Sequence, residues 1–169
     1  VNSTITLSGR EANLMAYYPM DEGRGNSLTD KAHSATLAMG GAEWALPAGR
    51  AAYLDGTDCV RLSTGTAVVD SSMDYTMEMW FKGDNSNSDA VLLSNGTGEE
   101  RDQFCLGFEN GVLTFTNNNT TTETTGNWLD DNWHHVAVAV SRTNGRGQIC
   151  IDGELNSYFP TEDVGGIGA

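Results

Sequence analysis

The chain has 169 residues, enough for one well-buried domain and too few for two of ordinary size. Its 9 basic and 23 acidic side chains leave a net charge of −14, a field that repels a phosphate backbone and that no basic cluster counters, so nucleic acid is a poor partner. No run approaches the roughly eighteen apolar residues that a spanning helix needs, and no charged stretch followed by an apolar one opens the chain, so membrane insertion is not expected.

In chain order, the first strand is expected at Met15–Pro19, ended by Pro19 and followed by the turn-forming run Asp21–Asn26. Ala51–Leu54 and Cys59–Leu62 flank Asp55-Gly56, which predicts a hairpin whose two strands pair antiparallel. Met73–Lys82 alternates: Met73, Tyr75, Met77, Met79 and Phe81 share a core face, opposite Thr76, Glu78, Trp80 and Lys82. Trp80, although on the second face, is assigned with Trp133 to the core as a strand residue.

A loop over Gly83–Ser88 leads to a short strand at Ala90–Leu93, and a charged turn over Asn95–Asp102 leads to a strand at Phe104–Phe108. Asn110-Gly111 marks a tight turn into Val112–Phe115. Asn117–Thr125, low-complexity Asn and Thr, suits a β-edge or an exposed loop but not a core. Trp133–Val140 and Gln148–Ile151 complete the pattern, joined through Asn144-Gly145 and closed by Asp152-Gly153. About nine or ten short strands without helical periodicity call for an all-β fold of two packed antiparallel sheets, a sandwich or jelly roll. Cys59, Cys105 and Cys150 sit singly in strand-like runs with no Cys-x-x-Cys, which favours packed thiols over zinc or redox chemistry.

Six segments in order carry a family resemblance: Leu14–Gly25, Asp30-Lys31-Ala32, Tyr53–Gly56, Tyr75–Lys82, Trp133–Ala137 and Ile151-Asp152-Gly153. Together they resemble the laminin-G-like branch of the concanavalin A-like lectin/glucanase superfamily. The resemblance implies a two-sheet antiparallel jelly roll over residues 14–169, of a kind found in exported glycan-binding, adhesive and enzyme-appended modules. Residues 1–13 resemble a connector between tandem copies, which implies neighbouring domains in a longer parent chain. The final strand usual in such domains has no counterpart before Gly165–Ala169, and Val1–Leu7, with its alternation of Val1, Ser3, Ile5 and Leu7, is a candidate substitute edge strand.

Catalysis is not expected. Retaining glycosidases place two carboxylates about 5 Å apart, whereas Glu78 stands alone on its strand and Glu99-Glu100 and Asp130-Asp131 are adjacent loop pairs that point apart. His134 and His135 face opposite sides of one strand with no Gly-x-Ser-x-Gly nucleophile to serve, and His33 belongs to no motif. Calcium is the favoured inorganic partner, because Asp21 to Asp30 supplies carboxylate and carbonyl oxygens; the resemblance implies a structural calcium held in part by an Asp like Asp30, against a turn-stabilising role for the same side chains.

Sugar binding needs an aromatic platform and planar polar groups. Trp128 and Trp44 lie in loop-like polar stretches, and Arg101 with Asn117, Asn118 and Asn119 supplies polar contacts; for Trp128, half-buried packing is an equal reading. Glycosylation acceptor patterns at Asn2, Asn95, Asn118 and Asn119 locate surface loops at most. The expectation is a non-catalytic carbohydrate-binding or adhesion module of an extracellular or cell-surface protein, its partner a glycan or an extracellular protein. The alternatives are a spacer in a tandem array and an ancillary domain of a polysaccharide-degrading enzyme.

Overall fold

The computed structural model of the chain describes residues 7–45, 51–62, 73–94, 104–117 and 120–161. The expected edge strand Val1–Leu7, apart from Leu7 itself, the charged turn Asn95–Asp102 and the closing Gly165–Ala169 lie outside the described residues, as do Asn2, Asn95, Asn118 and Asn119. The backbone forms two compact units, Val1–Val68 and Val69–Ala169. The regular structure of the described residues is almost entirely strand, with a single 3-10 turn at Asn85–Asn87 capped by the Asp84 carboxylate. None of their helices is long and apolar enough to cross a membrane.

In the first unit β1 (Ser27–Thr29), β2 (Thr36–Gly40) and β5 (Cys59–Leu62) form an antiparallel sheet in the order β1-β2-β5, and β3 (Glu43–Trp44) pairs with β4 (Ala52–Tyr53). The hairpin expected across Asp55-Gly56 is therefore not made: β4 and β5 take different partners. Asp55 Oδ1 accepts both the N–H and the hydroxyl of Thr57, and Gly56 sits at φ 96, so the segment turns on its own side chain rather than closing a two-residue hairpin. Met15–Pro19 is not a strand either. Its Tyr17 N–H donates to Asp30 Oδ1 and its Tyr17 carbonyl accepts from the Lys31 N–H, so a buried carboxylate, not a ladder, holds it.

The second unit is a sandwich of two four-stranded antiparallel sheets. One runs β10 (Thr120–Glu123), β9 (Val112–Asn117), β8 (Phe104–Glu109), β7 (Val91–Ser94); the other runs β13 (Glu154–Pro160), β12 (Arg146–Ile151), β11 (Trp133–Ser141), β6 (Tyr75–Lys82). The low-complexity Asn-Thr segment supplies the edge strand β10, as its composition suggests. Asn110-Gly111 joins β8 to β9, and Asp152-Gly153 joins β12 to β13, each with both turn residues at positive φ, the geometry that matches strand twist. Side-chain amides tie the two sheets at one margin: the Asn156 amide exchanges two hydrogen bonds with the Thr125 backbone, and the Ser157 hydroxyl donates to the Glu123 carbonyl.

Between the sheets, Leu106, Phe108, Leu113 and Phe115 from one side meet Phe81, Val136, Val138, Val140, Ile149, Ile151 and Phe159 from the other. Two ring contacts stitch the layers: Phe81 meets Phe108 edge-on at 5.7 Å, and Phe115 meets Phe159 at 4.8 Å. Of the three cysteines, Cys105 is buried and Cys59 and Cys150 are half-buried.

Gly147 on β12 lies opposite Phe159, whose ring occupies the space a Cβ would fill. Replacing Gly147 by Ala must displace that ring from its seat on Phe115, with an expected loss of about 1–3 kcal/mol. Urea unfolding should show this as a lowered midpoint at an unchanged m-value; an unaltered midpoint would mean that the ring packs elsewhere.

Candidate functional site

Alternation along β6 and β11 sorts their side chains onto two faces. Tyr75, Met77, Met79 and Phe81 of β6, with His134, Val136, Val138 and Val140 of β11, turn inward; Glu78, Trp80 and Lys82, with Trp133, His135, Ala137 and Ala139, turn outward. The register sets Lys82 opposite Trp133, Trp80 opposite His135 and Glu78 opposite Ala137.

Trp80 is 63% exposed and Trp133 52%, which corrects their assignment to the core. The Trp80 and His135 rings lie 5.2 Å apart at 51°, and His135 Nε2 is 3.6 Å from Glu78 Oε2. Two tryptophans, an imidazole and a carboxylate thus share one open sheet face, a surface that can stack on the C–H face of a pyranose while accepting hydrogen bonds from its hydroxyls. Exposed Tyr158, its ring covered by the Arg146 guanidinium, stands toward the opposite end of the same sheet.

Directly beneath this face, His134 is 8% exposed and held from both sides: Nδ1 lies 2.8 Å from Asp152 Oδ2 and Nε2 lies 3.0 Å from Asp130 Oδ1. The Trp128 ring meets the imidazole edge-on at 5.2 Å, and Phe81 flanks it at 5.8 Å. Burial alone would depress the His134 pKa, but the hydrogen bonds to Asp152 and Asp130 and the charges of both outweigh it, and the pKa is raised. Hydrogen bonding from Asn132 first and His134 second holds Asp130 down to about 2. For Asp152, burial acts upward, but bonds from the His135 backbone and the His134 ring prevail and lower it.

The arrangement clamps the ring, because both ring nitrogens are taken by carboxylates. Asp152 also accepts the His135 N–H at 2.9 Å, so the clamp and the outer face share a residue. On the other side Asp131 accepts from Lys82 at 2.8 Å.

The residues expected to bind from sequence do not gather at this face. Trp128 is half-buried, with its Nε1–H donating to Thr124 Oγ1 at 3.2 Å, and serves the clamp. Trp44, in the first unit, is half-buried and donates to the Gly25 carbonyl at 2.9 Å. Asn117 is 6% exposed at the end of β9, buried instead of lying on a rim, while Arg101 and Asn119 lie outside the described residues.

Asp21 is exposed, whereas Asp30 is 2% exposed and accepts N–H bonds from Tyr17, Ala32 and His33. A carboxylate facing three backbone donors suits a turn and not a hard cation, so Asp30 does not fit a calcium site. No group of three His, Cys, Asp or Glu side chains is placed to hold a metal among the described residues.

Strand parity carries the signal that sets both tryptophans outside the core. Trp80 shares its phase with Glu78 and Lys82, and Trp133 shares its phase with His135.

Residues 54–164 match the laminin-G-type family model described as the Concanavalin A-like lectin/glucanases superfamily. The fold is similar to the crystal structure of the binding domain of Paraclostridial Mosquitocidal Protein 1, with a TM-score of 0.66 at 11% identity over 93% of this chain. The chain spans 42% of that structure's length. Comparison with curated proteins gave no match.

The clamp has a pH signature. Asp130 and Asp152 titrate below their ordinary 3.8, so their contribution is present above that value and lost as pH falls through the folded pKa values. His134 titrates above its ordinary 6.5, so its contribution is complete below 6.5 and lost as pH rises through the folded value. The difference in Tm between the native chain and His134→Gln should therefore peak between those two values and shrink on the alkaline side. A difference that does not vary with pH would mean that the clamp is not ionic.

Proposed function

The chain belongs to the laminin-G-type family of the concanavalin A-like lectin/glucanase superfamily, and on that premise we propose that it is a non-catalytic module that binds carbohydrate on the open face of β6 and β11. The observation that carries this reading is the solvent-facing pair Trp80 and Trp133 beside His135 and Glu78. Large aromatics left in water on a regular sheet lose the burial they would gain in a core, and a ligand that covers them restores it.

The fold likeness to the binding domain of a mosquitocidal protein supports a binding role at the level of architecture. A non-catalytic role is supported by the geometry of the clamp, whose histidine has no free nitrogen. The parent protein on this reading is extracellular or cell-surface, with neighbouring domains. A pure spacer accounts less well for two exposed tryptophans on one face.

A glycan array probed with the full chain, in calcium buffer and again with chelator, tests the proposal. Binding to a defined glycan class is expected in both buffers; loss on chelation would show that a divalent cation takes part in binding. Trp80→Ala and Trp133→Ala should each weaken binding about tenfold or more, while Tm shifts by no more than about 2 °C, because exposed side chains contribute little to stability. Unchanged affinity in both variants would overturn the assignment of the site.

A further inference from the structure

We propose that the ligand of this face, on the reading of it as a sugar platform, is an uncharged glycan, and that sulfated and uronate-bearing chains are excluded. Charge around the two tryptophans is one-sided. Glu78, Asp130, Asp131 and Asp152 keep 57, 37, 75 and 45% of their side chains exposed. The cations among them are already paired: Lys82 with Asp131 at 2.8 Å, and His134 with two carboxylates.

Arg146 pairs with Ser141, six residues along β11 from His135. That is about 20 Å away at ~3.3 Å per residue and beyond the Debye length of about 8 Å in physiological salt. An anionic sugar on Trp80 would thus meet carboxylates and no unpaired cation among the described residues of this face.

Hydrogen-bonding chemistry points the same way. A carboxylate only accepts, so Glu78 suits hydroxyl and acetamido N–H donors and finds nothing to accept from a sulfate or a sugar carboxylate, which are acceptors themselves. Trp80, Trp133 and His135 offer C–H stacking surface that carries no charge preference for a neutral ring. A basic peptide would also be drawn to the carboxylates, but Trp80, His135 and Trp133 stand side by side on one face of a two-strand pair, and an open face suits a pyranose.

The test uses the full chain with matched pairs of glycans, desulfated and sulfated, at low and high salt, alongside Glu78→Gln, Glu78→Lys and Trp80→Ala. The expected result is a preference of about tenfold or more for the neutral member at low salt, shrinking as salt rises, with Glu78→Gln reducing it and Glu78→Lys moving it toward the sulfated member. Preference for the sulfated member, lost in Trp80→Ala, would overturn the selectivity and leave the platform standing. Binding indifferent to Trp80→Ala, or no glycan binding at all, would overturn the platform itself. Tighter binding of a lysine-rich peptide than of any glycan would overturn the ligand class.

Discussion

The pairing of β11 with β6 is the constraint on which the rest of this molecule depends. Eight consecutive residue pairs, from Trp133 with Lys82 to Val140 with Tyr75, fix two strands far apart in the chain in a single register. A slip by one residue would send Val136, Val138 and Val140 into water and bring Trp133 and His135 into the core, so the valines enforce the register and the register displays the tryptophans. Core and candidate site are two sides of the same alternation.

That strand also explains why two adjacent histidines have different roles. His134 enters the interior, where a neutral imidazole could donate only one hydrogen bond while two carboxylates face it, and the protonated ring satisfies both. His135 emerges beside Trp80. The Asp152-Gly153 turn serves both, since the positive φ at Asp152 and Gly153 closes β12 onto β13 and brings one carboxylate to the His134 ring and to the His135 N–H. A turn chosen for backbone geometry thereby braces the underside of the platform.

Much of the fold was legible because its signals are local. Alternation gave the inner face of β6, and Asn110-Gly111 and Asn144-Gly145 gave two of the hairpins. Local signals failed where a side chain replaced the ladder. Asp-Gly at 55–56 resembles a hairpin turn, but the Asp55 carboxylate captures Thr57 and the flanking strands part to β3 and β2. Met15–Pro19 has strand composition, yet Asp30 takes the Tyr17 N–H that a neighbouring strand would have bonded. The candidate site escaped a local reading for another reason: a tryptophan on a strand reads as core, although phase sets Trp80 with Glu78 and Lys82.

What the sequence by itself determined is the all-β class, the family and the alternation along β6, because these follow from period, turn chemistry and the order of short motifs, all local properties of the chain. Only the tertiary structure decided which strands meet. Placing Trp80 against His135 and burying Asn117 while Trp133 stays in water depend on register between strands far apart in the chain or on the packing of whole sheets, and no local pattern encodes a contact of that kind.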